Sequence, residues 1–374
     1  MITEICRKGI LILIVIHLSL IFASIFISII NIYFLNRKRL RNGTATSNFD
    51  KYKVSVIIPA RNEELNIPKI LKYLENQSVK PLEVIVVDDN SSDRTSELAA
   101  QFHGVKVVKL NNEPPKAWVG KSWAIWNGYK KSSGNILLFL DADVEPGENA
   151  IEALLEKYEK HGGMISVWPH QRFEHLYEHL TLTFSLVVMC SSNMLGFPSK
   201  TPSGAFGPVI LTGREDYELT GGHHTIKDSV LEDIRLGKLY IKKDIKVTNF
   251  IGNGMIKFRM YPDGFRQLFE GFAKNMSSGA TSGGLINFAL AFLWIAGFFA
   301  SFASFNFSVE YVLLRYFAFA LITYLLSKPT GNYKWYDGVL YPVHFLFFLV
   351  VFFNSLYQTI FIKKVKWRGR DVNV

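Results

Sequence analysis

Three polar clusters stand directly after short β-branched runs, and they carry the groups that could do chemistry. Pro59-Ala60-Arg61-Asn62-Glu63 follows Val54-Ser55-Val56-Ile57-Ile58, Asp88-Asp89-Asn90-Ser91-Ser92 follows Glu83-Val84-Ile85-Val86-Val87, and Asp141-Ala142-Asp143 follows Ile136-Leu137-Leu138-Phe139-Leu140. A buried strand ending in acidic groups sets like charges close together, which is costly unless a cation or a hydrogen-bonding ligand compensates. Asp141-Ala142-Asp143 puts two carboxylates on one tight turn. Such hard oxygen donors suit Mg2+ or Mn2+ bridging to phosphate oxygens with several waters retained, and a cation so held would neutralise a diphosphate leaving group. Any one cluster alone is more often a turn or a helix cap, and Asp88-Asp89-Asn90-Ser91-Ser92 is a serviceable cap for a helix over 93–101. Recurrence at successive strand ends is what points to a ligand. The chain lacks a Gly-x-x-x-x-Gly-Lys-Ser/Thr loop, and its first strand ends in Pro-Ala-Arg, which argues against a P-loop or a glycine-rich dinucleotide site.

The elements that must position these groups are legible between them. A helical pattern over 63–76 links the first two strands, and a third strand at 105–110, a helix over 121–131 and the strand at 136–140 continue the alternation. This predicts an α/β domain with a mostly parallel central sheet, whose ligands sit at the strand C-termini.

That domain is flanked by apolar sequence. Apolar residues make up 49% of the 374-residue chain and aromatics 14%, too many for an ordinary soluble enzyme. Residues 9–35 lack a charged side chain and exceed the roughly 20 residues needed to cross a bilayer. Arg37, Lys38, Arg39 and Arg41 follow, where a signal peptide would carry a small-residue cleavage site. They predict a retained anchor with the downstream domain in the cytosol. Stretches 285–307, 312–326 and 339–362 read as further membrane helices. Three full crossings there would put Lys363, Lys364, Lys366, Arg368 and Arg370 outside, against the positive-inside rule, so one of the three is expected to be re-entrant or interfacial; the middle run, interrupted by Arg315, is the shortest. The expected organisation is an anchor with basic flank over 1–45, a cytosolic catalytic domain over 46–283, and membrane helices with a basic tail over 284–374, in a multi-pass protein of the cell membrane. The net charge of +10 gathers beside the apolar segments, which favours a membrane surface over nucleic acid as partner. Two cysteines, Cys6 and Cys190, support neither a disulfide framework nor a zinc site.

Taken together, these motifs resemble those of the family 2 glycosyltransferases with the GT-A fold, over roughly 53–280. The resemblance implies that Pro59, Ala60, Arg61, Glu63 and Asp89 line a uridine pocket, that Lys121 of Gly120-Lys121-Ser122 approaches the diphosphate, that Asp141 holds the ribose side and that Asp143 holds the metal. Gly221-Gly222-His223-His224 looks like the family's acceptor loop, with Gly221, Gly222 and His223 facing the acceptor, and Leu231-Glu232-Asp233 like its catalytic pair, with Asp233 as base beside Glu232. Inverting transfer of one sugar from a UDP-sugar is then the expected reaction, the base taking the acceptor proton as the acceptor oxygen attacks the anomeric carbon. An acceptor that arrives already ionised would ask less of Asp233.

The chain departs from the processive members of that family. Where those carry Gln-x-x-Arg-Trp, this sequence reads Glu270-Gly271-Phe272-Ala273-Lys274-Asn275, so polymerisation is not expected. Phe258-Arg259-Met260-Tyr261-Pro262-Asp263-Gly264-Phe265-Arg266 alternates aromatic and basic residues, as an interfacial segment delivering a lipid-like acceptor would. Ala205-Phe206-Gly207-Pro208-Val209, Phe258-Arg259-Met260-Tyr261, Glu270-Gly271 and Lys366-Trp367-Arg368-Gly369 are similar to the bacterial members that glucosylate the carboxylate of a C30 carotenoid acid from UDP-glucose. That likeness implies a place in carotenoid synthesis, with other enzymes of that synthesis as partners. Transfer to a polyprenyl phosphate, a hopanoid or another membrane lipid would use the same donor site, and a catalytically silent membrane scaffold is the reading from outside enzymology.

Overall fold

In the computed structural model, residues 2–41, 49–191, 193–196, 199–282, 284–303, 307–358, 364–367 and 370–373 are described. They divide into two compact units, one of residues 38–172 and 194–259, the other of 1–37, 173–193 and 260–374.

The first unit is built on strands β1 (Val54–Ala60), β2 (Glu83–Asp88), β3 (Val105–Lys109), β4 (Ile136–Leu140), β5 (Val144–Pro146), β6 (Met164–Trp168), β7 (His170–Gln171), β8 (Val209–Gly213), β9 (Val247–Ile251) and β10 (Ile256–Phe258). Seven of them form one sheet in the order β3-β2-β1-β4-β8-β6-β9, and β5-β10-β7 form a small second sheet. Pairs β1/β2, β2/β3, β1/β4 and β6/β9 are parallel, while β8 runs antiparallel to both β4 and β6. The continuous apolar runs of β1 and β4 follow from burial on both faces. Val56, Ile58, Leu138 and Leu140 join Ile67, Leu71 and Leu154 in one core layer; Ile57, Leu137 and Phe139 join Ile125, Leu236 and Tyr240 in the other. Helices Ile67–Glu75 and Gly120–Lys131 stand where the sequence pattern put helices.

Register sets the site. Ala60 pairs with Asp88 and Leu140 with Val209, so the C-terminal ends of β1, β2 and β4 and the entry to β8 lie along one edge of the sheet. The Asp141 amide donates to the Pro208 carbonyl at 3.0 Å and the Asp89 amide to the Ala60 carbonyl at 2.8 Å, which pins the three acidic segments there.

In the second unit, Gly9–Arg37, Leu285–Phe302 and Val309–Ser327 are long and apolar enough to cross a membrane, and Leu176–Cys190 and Tyr341–Tyr357 are shorter apolar helices. Small and polar residues contribute to the contact between the N-terminal helix and the Gly284–Phe302 helix, while aromatic rings pack the latter against the helices that follow. A Cβ built on Gly297 would lie 2.2 Å from Ser24 Cβ, and Trp294 Nε1 donates to Ser28 Oγ at 2.9 Å. Against the Gly284–Phe302 helix, the N-terminal, Val309–Ser327 and Tyr341–Tyr357 helices all run antiparallel. Ser28 meets Trp294 while Ser24 meets Gly297, Arg315 Nη2 donates to the Ala303 carbonyl while Phe319 packs on Phe298, and Tyr341 meets Ser301 while Phe345 packs on Trp294.

This arrangement corrects the expected conflict of the basic tail. Helices Val309–Ser327 and Tyr341–Tyr357 run parallel to each other, so residues 328–340 must travel back between them. They do so along the preceding helix, where Tyr316 Oη donates to the Val339 carbonyl at 2.5 Å and a Cβ on Gly338 would stand 2.5 Å from the Ala320 carbonyl oxygen. Arg37, Lys328 and the end of the Tyr341–Tyr357 helix therefore share one end of the bundle. The middle apolar run is a regular helix despite Arg315. Residues 192, 197–198, 304–306 and 359–363 lie outside the described residues, as do Arg368 and Gly369 of the terminal motif.

Candidate active site

The edge formed by β1 and β2 is laced by its own loops. Asp88 is consumed by the fold: its Oδ1 accepts from the Ser91 amide at 2.9 Å, and Ser96 Oγ donates to its Oδ2. Asn62 and Asn90 take left-handed backbones, φ 55° and 56°, and Asn62 Oδ1 accepts from the Ser92 amide at 2.9 Å. Beside them Arg61 Nη1 donates to the Asp89 carbonyl at 3.1 Å and stands 3.7 Å from its carboxylate, while Glu63, buried, accepts from Asn66 Nδ2 at 2.8 Å. Pro59, Ala60, Arg61, Glu63 and Asp89 are thus brought to one edge by two strands.

Next to this edge lies a charge cluster in which Glu232 is buried and Lys121, Asp141 and Asp233 are half-buried. The Gly120–Lys131 helix begins where the Val119 amide donates to the Lys227 carbonyl at 2.7 Å, and its second residue is Lys121. Lys121 Nζ lies 2.7 Å from Asp141 Oδ1, 3.0 Å from Asp141 Oδ2 and 2.9 Å from Glu232 Oε1. Burial works against the Lys121 charge, but Asp141 and Glu232 outweigh it and hold the pKa well above the usual lysine value. Burial would raise Glu232, yet Lys121 pulls it below the ordinary range. Asp141 is pushed up by burial, against the pull of Lys121. Asp233, which lacks an ammonium of its own, is pushed up to about 7 by burial and then by the Glu232 charge. One cation is therefore shared by carboxylates that titrate apart, an arrangement that marks acid and base roles.

The Gly221-Gly222-His223 segment is a left-handed corner, with φ 74° at Gly221 and 49° at Gly222. A Cβ on Gly222 would fall 2.2 Å from the Tyr217 ring, so only glycine lets the turn close there. His223 is 1% exposed: its Nδ1 lies 2.9 Å from Tyr217 Oη, its ring meets Phe139, and burial lowers its pKa to about 4. His224 is exposed and meets Trp118 and Trp126 at ring-centroid distances of 5.7 and 5.4 Å. Tyr217, Trp118 and Trp126 were not singled out in the sequence, because aromatic spacing alone reads as core.

The model of "Glycosyl transferase family 2" matches residues 55–200. Over 376 aligned residues the chain is 35% identical to a Staphylococcus haemolyticus (strain JCSC1435) protein named 4,4'-diaponeurosporenoate glycosyltransferase, covering 95% of this chain and 98% of that one. The chain belongs to glycosyl transferase family 2. A Staphylococcus aureus (strain MRSA252) protein of the same name is 33% identical over 341 residues, 88% of this chain and 90% of that one. Among solved structures, a mannosyltransferase from Pyrobaculum calidifontis, in complex with GDP-Man and Mn2+, superposes with a TM-score of 0.56 at 16% identity, over 93% of this chain and 99% of that chain. The glycosyltransferase thus has the GT-A fold, with its mostly parallel sheet as the sequence led us to expect. Among the described residues no three His, Cys, Asp or Glu side chains form a cage for a metal ion. The turn Asp141-Ala142-Asp143 still presents two carboxylates of the kind that suit a hard cation held chiefly by substrate phosphates and water.

Proposed function

We propose that this glycosyltransferase moves glucose from UDP-glucose, with inversion, onto the carboxylate of a C30 carotenoid acid, 4,4'-diaponeurosporenoate, at the cytosolic face of the cell membrane. The geometry that carries the reading is the cluster of Lys121, Asp141, Glu232 and Asp233, in which one ammonium and one raised carboxyl stand together at the sheet edge. The donor diphosphate competes with Asp141 and Glu232 for the Lys121 ammonium. Pro59, Ala60, Arg61, Glu63 and Asp89 hold the uridine, and Asp141 the ribose. Asp143 would hold Mg2+ or Mn2+, which when bound supplies positive charge against the departing diphosphate.

The acceptor oxygen attacks the anomeric carbon, a C–O bond forms there, and the bond to the diphosphate breaks with its electrons leaving on UDP. A carotenoid carboxyl is desolvated as it leaves the bilayer surface, which raises its own pKa. Asp233 then has a proton to take at neutral pH. Gly221 and Gly222 shape the acceptor side, and His223 braces it through Tyr217. The named relatives support the carotenoid acid, the apolar helices support a membrane-bound acceptor, and the shared end of Arg37, Lys328 and the Tyr341–Tyr357 helix supports a multi-pass topology with that end at the cytosolic side.

Mass spectrometry of lipid extracts from a host making the carotenoid acid, with the chain, without it and with Asp143→Ala, tests this. A hexosyl ester of the carotenoid acid that disappears in the variant is the expected result. A hexose on another lipid would discard the acceptor; no transfer in any sample would discard the reaction.

A further inference from the structure

Residues 204–208 link the donor side of the cluster to the catalytic side. Asn249 Nδ2 donates to the Gly204 carbonyl at 2.9 Å, the Phe206 amide donates to Ser166 Oγ at 2.6 Å, and the Pro208 carbonyl accepts from the Asp141 amide at 3.0 Å. Strands β4, β6 and β9 thereby fix the segment. The first turn of the Glu232–Lys242 helix packs on it without side chains between. A Cβ on Gly204 would stand 2.8 Å from Ile234 Cα, and one on Gly237 would stand 2.5 Å from the Ala205 amide nitrogen. At Gly207 the neighbour is a functional group. A Cβ there would stand 2.8 Å from Asp233 Oδ2 and 3.2 Å from Asp233 Cβ and Cγ. The backbone of Gly207 does not lie in the left-handed region, and the three nearest atoms that an alanine Cβ would meet all belong to the Asp233 side chain.

We propose that Gly207 is a positioning residue: its missing side chain is the seat in which the Asp233 carboxylate rests, and it sets the distance from that carboxylate to the Lys121–Asp141 pair. The proposal rests on the reading of Asp233 as base. With the nearest ammonium held by Asp141 and Glu232, Asp233 is placed by this seat together with the Ile234 amide, which donates to its Oδ1 at 2.8 Å. A methyl group at 207 must push the carboxylate aside, since Pro208 is held by Asp141 and cannot retreat. Donor contacts at Pro59, Ala60, Asp89 and Lys121 are untouched by that movement.

The test compares wild type, Gly207→Ala, Asp233→Ala and the double variant with UDP-glucose and 4,4'-diaponeurosporenoate in phospholipid vesicles, together with UDP binding and thermal midpoint. A displacement of a reacting group by about 1 Å costs on the order of 100-fold in rate. Gly207→Ala is therefore expected to lower kcat about 10- to 100-fold with UDP affinity unchanged. In the Asp233→Ala background the same change should cost little further, and most of any loss of thermal midpoint in Gly207→Ala should be recovered, because the clashing carboxylate is gone and only the 3.2 Å approach to Cβ of residue 233 remains. A wild-type kcat in Gly207→Ala, a parallel loss of UDP affinity, or additive losses in the double variant would overturn the role of Gly207 while leaving Asp233 as base if Asp233→Ala is itself inactive. An active Asp233→Ala would overturn the base, and the seat with it.

Discussion

Both units bury charge, and they treat it in opposite ways. In the helical unit, Arg315 is 5% exposed, but its guanidinium meets the Ala303 carbonyl at 3.1 Å, His17 Nε2, and the faces of Phe307 and Tyr311 at 4.9 and 4.7 Å. Asp337, 1% exposed, accepts from the Lys334 amide at 2.6 Å and from His179 Nδ1 at 2.8 and 2.9 Å. Each of these charges has local partners that a ligand need not replace. In the catalytic unit Lys121 is divided between Asp141 and Glu232, and Asp233 is left raised beside them. Burial of a charge is therefore a weak sign of function; competition among buried charges for one partner is a stronger one, because a ligand can resolve it.

The sharpest way to break that comparison is to remove the unshared carboxylate. Asp233→Asn should lower kcat by about 10²- to 10⁴-fold if the acceptor delivers a proton, with UDP binding kept. A much smaller loss would mean that the acceptor arrives ionised. The same residue sets a pH limb. Burial and the Glu232 charge push its carboxyl up to about 7, so with Asp233 in the proposed role of base it is protonated and idle below that pH, and kcat should fall as pH falls through about 7. Asp233→Asn should flatten this limb, which stopped-time assays across pH 5.5–8.5 (about one unit either side at least) would show.

Much of this site was readable in the sequence because its signals are local. Strand runs ending at Ala60, Asp88 and Leu140 were visible as β-branched alternation, and Asp141-Ala142-Asp143 and Glu232-Asp233 as adjacent acids. Gly207 carried no such signal. Its neighbour Asp233 is distant in the chain, and a close backbone approach leaves no trace in periodicity. The same blindness hid the path of residues 328–340. Their polar composition reads as a surface joint, and only the contacts of Gly338 and Val339 with the preceding helix reveal the return. Leu176–Cys190 interrupts the α/β domain in sequence and packs within the helical unit.

The helical-unit side of the comparison can be sharpened at Asp337. Asp337→Asn keeps the shape but weakens the bonds to His179 and to the Lys334 amide, and buried charge-assisted bonds are worth about 1.5–3 kcal/mol. The expected outcome is a lower thermal midpoint in detergent with kcat per folded molecule unchanged. A loss of kcat at an unchanged midpoint would instead place Asp337 in the reaction and erase the distinction between the two regions.

The smallest effect is expected where charges are neither buried nor contested. Arg235 lies two residues after Asp233 on the same helix and pairs with Asp228 at 3.1 Å, but both side chains are more than half exposed. Exposed pairs of this kind contribute less than about 1 kcal/mol and are screened by salt. Arg235→Ala should therefore leave both kcat and the thermal midpoint nearly unchanged. If it lowered kcat as Asp233→Asn does, proximity to the catalytic helix rather than competition for Lys121 would be what matters, and the contrast between contested and satisfied charges would lose its force.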